Sequence, residues 1–178
     1  MRRKWIFIIA CATVIFLMLF WYIGMPEKKA NRILKSMMHD YEKIEEIIFT
    51  GFVDLGEQEV MIGESQYYLI QGECKNLNDL EKLLNKVYTK EMVKGILSWS
   101  MDGDDPIIIE HEGGLYRKDA YATGNSFILP IKAIEKVSKE EMKVKAVSAN
   151  NEAFIVCITL KREEGKWKIS EIKEMEGQ

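Results

Sequence analysis

Phe154-Ile155-Val156-Cys157-Ile158-Thr159-Leu160 is the stretch on which the fold turns. β-Branched and aromatic residues dominate it, and the run is too short for a buried helix. Phe154, Val156, Ile158 and Leu160 fall on one face of a strand, and Ile155, Cys157 and Thr159 on the other. Comparable runs lie on either side, so strands are expected over 127–136, 141–148, 152–162 and 166–174. Asn150-Asn151 and Glu164-Gly165 stand where tight turns belong, and Thr123-Gly124-Asn125 marks another. Trp167 and Ile169 share a face while Ile172 begins the opposite register, which predicts a bulge or strand end near Ser170-Glu171.

Upstream, the period changes to that of a helix. Ala30, Ile33, Leu34, Met37, Met38, Tyr41, Ile44, Ile47 and Ile48 form a one-sided stripe, predicting a helix over 27–49 closed by Thr50-Gly51. Short strands are expected at 58–62 and 66–71. Leu77, Leu80, Leu83, Leu84 and Val87 mark a second helix, capped by Asn76 or Asn78. Thr89 can cap a third, which runs to Trp99. Ile107–His111 and Leu115–Lys118 flank Glu112-Gly113-Gly114, a hairpin. The fold class is α+β, with helices packed on one curved antiparallel sheet in a cystatin-like or NTF2-like arrangement.

The first 25 residues read differently. Arg2, Arg3 and Lys4 precede Trp5–Ile23, 19 residues without a charge. As a helix this run spans roughly 29 Å, enough for a hydrocarbon core. Trp5 at one end and Trp21 and Tyr22 at the other suit the two interfaces; the basic cluster favours a cytoplasmic N-terminus, opposed by Lys28, Lys29 and Arg32 after the run, which Glu27 partly offsets. A cleaved signal would need a shorter core, and a lipid-modified Cys11 would need polar residues after it. The expected organisation is therefore a cytoplasmic tip and anchor over 1–25, with an extracytoplasmic domain over 26–178.

The chain carries −3, and its first 25 residues carry +3, which leaves −6 for the domain. An acidic domain repels phosphate backbones, which argues against nucleic acid, and attracts a basic partner. Cys74 and Cys157 are candidates for a disulfide outside the cell, but Cys157 reads first as a small buried hydrophobe.

The sequence holds no GxSxG, HExxH, P-loop or GxGxxG pattern, and no zinc spacing. No cofactor is expected. Asp102-Gly103-Asp104-Asp105 lacks the length of a calcium loop and reads as a turn. It also reads as a partner-binding loop made of Trp99, Met101, Asp102, Asp104 and Asp105, since Trp is a common interface anchor. The competing reading, which the helical period favours, puts Trp99 in the core.

Several motifs between Gly63 and Ile172 resemble one family. They are Gly63–Tyr68, Asn78-Asp79-Leu80, Val87–Glu91, Gly114-Leu115-Tyr116 and Gly165–Ile169. The chain is similar to the IseA-type inhibitors of bacterial DL-endopeptidases, which block cell-wall hydrolases through a loop. The turn after Lys118 departs from the family pattern, with only Asp119 and Gly124 in common. The resemblance implies a non-enzymatic, membrane-anchored binding protein whose partner is a peptidoglycan hydrolase or another extracytoplasmic protein. Two alternatives stand beside it. One is a non-catalytic module of a membrane complex. The other is an NTF2-like pocket enzyme using Asp119 or His111.

Overall fold

The computed structural model describes residues 26–50, 53–119, 127–149 and 154–176. It is an α+β fold with two antiparallel sheets. Helix α1 covers residues 26–50, α-helical to residue 44 and π-helical over Glu45–Thr50. Helices α2 (Leu77–Val87) and α3 (Lys90–Met101) follow a first hairpin. That hairpin is β1 (Leu55–Ile62) and β2 (Ser65–Ile70), and a second is β3 (Ile108–His111) and β4 (Gly114–Lys118). The last four strands, β5 (Phe127–Val137), β6 (Glu141–Ser148), β7 (Phe154–Glu163) and β8 (Lys166–Glu176), form the expected meander.

The expectation of one curved sheet is corrected. The two early hairpins pair with each other through β2 and β4, as in Tyr67 opposite Lys118, and close a sheet of order β1-β2-β4-β3. The meander forms the second sheet, β5-β6-β7-β8. Glu112 and Gly113, and Glu164 and Gly165, all have positive φ. That is the geometry a two-residue turn needs to match strand twist.

One core serves both sheets. Ala30, Leu34, Ile44 and Ile48 of α1 are fully buried, as are Val144, Val156, Ile158, Leu160 and Ile169 of the meander. Each such aliphatic side chain contributes about 1.5–3 kcal/mol by leaving water. The bulge lies where the alternation broke. Thr159 faces Glu171 and Leu160 faces Ile169, so Ser170 has no opposite number, and its hydroxyl donates to the Thr159 carbonyl at 3.1 Å.

One helix end is as expected, and two depart from expectation. Asn76 caps α2, its side chain accepting from the Asp79 N–H at 3.0 Å. Thr89 occupies the cap of α3, but its hydroxyl makes no capping bond. Glu163, from the β7–β8 corner, accepts the Lys90 N–H at 3.2 Å instead. A carboxylate is favoured there by the helix dipole. The apolar stripe did not reveal the π turn of α1. Fully buried Arg117 of β4 holds that turn, donating from Nε to the Ile47 carbonyl at 2.7 Å and from Nη1 to the Lys118 carbonyl at 2.8 Å.

The run 5–23, with Arg2, Arg3, Lys4, Trp5, Trp21 and Tyr22, lies outside the described residues, as do Gly51, Thr123–Asn125 and Asn150-Asn151. Among the described residues no helix is long and apolar enough to cross a membrane.

Candidate functional site

The far end of α1 meets the end of α3 and the tip of the β1–β2 hairpin. Phe49, in the π turn, stacks on Trp99 with ring centroids 5.4 Å apart and planes 19° from parallel. Trp99 nonetheless keeps 50% of its surface in solvent, which corrects the core reading. The reason is local. Val93, Ile96 and Ser100 take the buried face of α3, and Trp99 lies one position off it.

The acidic loop follows directly, anchored at both ends. The Asp102 N–H donates to the Ser98 carbonyl at 3.0 Å and the Ile107 N–H to the Ser100 carbonyl at 2.8 Å. The Ser98 hydroxyl donates to the Asp102 carboxylate at 2.7 Å. Gly103, with φ of 101°, supplies a backbone that other residues resist. Asp105 accepts from the Ser65 hydroxyl at 2.8 Å and pairs with Lys118. The Tyr67 hydroxyl donates to the Pro106 carbonyl at 2.8 Å. Lys118 and Ser65 hold the Asp105 carboxyl below its ordinary value of 3.8.

These bonds sort the five sequence-derived loop residues. Asp102, Asp104 and Trp99 face solvent. Asp105 is exposed but committed to the loop's own structure. Met101 was expected in an exposed loop, yet it ends α3 half-buried against the core. Sequence reasoning passed over Met61 and Ile62, which are 59% and 45% exposed at the hairpin tip. The Ser65–Asp105 bond brings this tip to the loop. Two apolar residues beside a Gly-Glu turn were the available signal. The corner thus offers an aromatic face, two aliphatic side chains and solvent-exposed carboxylates.

The other candidates disperse. His111 and Asp119 fall at opposite ends of β4, roughly 13 Å or more apart at ordinary strand rise. His111 packs edge-on against Tyr116. Among the described residues no three His, Cys, Asp or Glu side chains gather as a metal site. A cleft of about 480 Å³ opens between the end of α1 and α2. Ion pairs Lys43–Glu73 at 2.7 Å and Lys82–Asp79 at 3.5 Å lie along it. Cys74 lines this cleft, its thiol pushed up by burial.

Cys74 and Cys157 are both free thiols. Cys157 is only half-buried, which corrects its reading as a buried hydrophobe. It stands on the polar face of the meander, with Sγ 3.8 Å from the Glu135 carboxylate. The core takes Val156 and Ile158 from the opposite face.

No family model matches the chain, and no curated protein matches it significantly.

Proposed function

We propose that this chain is a membrane-anchored extracytoplasmic binding protein whose Trp99 corner docks a peptidoglycan hydrolase, the partner class of the DL-endopeptidase inhibitors it resembles. The cystatin-like or NTF2-like lineage belongs to the same proposal. One observation carries it: a large aromatic side chain stands half in solvent beside carboxylates on a loop braced at both ends. Burying an exposed Trp against a partner is worth a few kcal/mol at an interface centre. A braced loop loses little entropy on binding. The exposed carboxylates favour a basic rim on the partner and speed encounter with it.

The test is titration of the full chain, held in nanodiscs, against a panel of purified DL-endopeptidases at low and high salt. Stoichiometric inhibition that weakens with salt and is lost in Trp99→Ala supports the proposal. Unchanged hydrolysis across the panel, with no complex on size exclusion, defeats it.

A further inference from the structure

The charge along α1 is not evenly spread. Residues 26–35 hold Lys28, Lys29, Arg32 and Lys35 against Glu27 alone, a net +3, which leaves −9 for residues 36–178. Lys28, Arg32 and Lys35 are spaced i, i+4, i+7, so they stack on one side of the helix. That side points away from the core: all three are exposed, while Ala30 and Leu34 on the inner face are fully buried. None of the three forms an ion pair among the described residues. Lys29 is turned aside, its ammonium 5.3 Å from the Trp167 ring centroid. Farther up, the outer face becomes acidic at Glu42 and Glu46.

The foot is also held in place. The Asn31 carboxamide accepts the Ile131 N–H of β5 at 3.0 Å. The stripe therefore moves with the domain. Lys28 follows the last residue of the uncharged run by five positions, a spacing that would be roughly 7.5 Å were the intervening residues helical. That spacing would put Lys28 within about one Debye length of a bilayer surface at physiological salt, with Arg32 and Lys35 roughly 6 and 10 Å farther along the helix and brought near only by a lean of α1.

We propose that Lys28, Arg32 and Lys35 form a basic stripe that rests on the anionic phospholipid headgroups of the leaflet from which the domain emerges. The stripe leans α1 toward the bilayer on that side and sets the azimuth at which the Trp99 corner is presented. This rests on the anchor reading of residues 5–23. Unpaired cations on an otherwise acidic domain would be repelled by nothing at an anionic surface, whereas the acidic remainder is pushed away from it. The two effects act together as an orienting torque.

The experiment uses the full chain in nanodiscs of phosphatidylcholine, with or without about 30% phosphatidylglycerol, an anionic fraction chosen to give a substantial surface potential. Lysine acetylation rates are read by mass spectrometry at Lys28 and Lys35, with exposed Lys94 of α3 as reference. The expected result is slowing of Lys28 and Lys35 by about threefold or more in the anionic discs, with Lys94 unchanged and the protection lost at high salt. Arg32→Gln should weaken the protection of both lysines. Incorporation into discs with equal rates in both lipids overturns the stripe and leaves the anchor standing. Failure to enter discs at all overturns the anchor and the stripe with it. Equal protection by inorganic phosphate in neutral discs would assign the stripe to a free anion and overturn the lipid partner.

Discussion

The two ends of α1 belong to one helix, yet they are secured by opposite means. At the foot, one side-chain amide bonds a strand N–H, one lysine lies over Trp167, and the outer face is solvated and positive. At the far end, a fully buried guanidinium clasps a π turn through the Ile47 carbonyl, and Phe49 stacks on Trp99 beneath an acidic loop. The foot could tolerate many polar residues. The far end cannot, because a desolvated arginine is stable only while its carbonyl acceptors stay in place. The difference locates where sequence change is costly, and it is at the end that bears the candidate site.

Breaking the clasp should have the largest effect. Arg117→Met removes the bonds to the Ile47 and Lys118 carbonyls and leaves the Ile47 carbonyl buried, a loss of roughly 3 kcal/mol read from denaturant midpoints. Hydrogen exchange should rise over residues 45–50 and little over 26–35. Equal rise at both ends would show that the ends are not independent. Trp99→Ala comes next. It should cost about 1 kcal/mol of stability from the lost stack, and about 2 kcal/mol or more of partner binding, separable by denaturation and calorimetry.

Asp105 sharpens the comparison by pH. Its carboxyl is held below 3.8 by Lys118 and Ser65, so its contribution to stability is present above that value. It is lost as pH falls through the lower folded value. Asp105→Asn should remove that acid-side step in a thermal melt series, and the loop should exchange faster at neutral pH. The smallest effect belongs to Asp102→Asn with Asp104→Asn. Stability should stay within about 0.5 kcal/mol, while the salt dependence of partner association flattens.

Much of the second half of the chain was legible because alternation at period two is a direct consequence of a half-buried strand. The break in that alternation at Ser170 even located the bulge. The first half was legible as elements, but its sheet was not. Whether two hairpins join a meander or pair with each other depends on tertiary contacts that no local period encodes. The π turn escaped for a related reason. Arg117, which bonds its Ile47 carbonyl, lies 70 residues away. The candidate corner was half legible. The Asp-rich turn announced itself by composition, but Trp99 was misplaced because one helical position separates a core residue from a rim residue. Met61 and Ile62 join the corner only through the Ser65 bond to Asp105.

The length of α1 has a consequence for reach. From residue 26 to Phe49 the helix runs about 35 Å, with no glycine and no proline after Pro26. On the proposed anchoring through residues 5–23, such a rod would act as a stiff spacer, not a flexible leash, and its lean would set the height of the Trp99 corner. The effective concentration of the corner would then be high within roughly that length of the bilayer and close to zero beyond it. Under the proposed function, a hydrolase working farther out in the wall would escape, and one within that reach would be met.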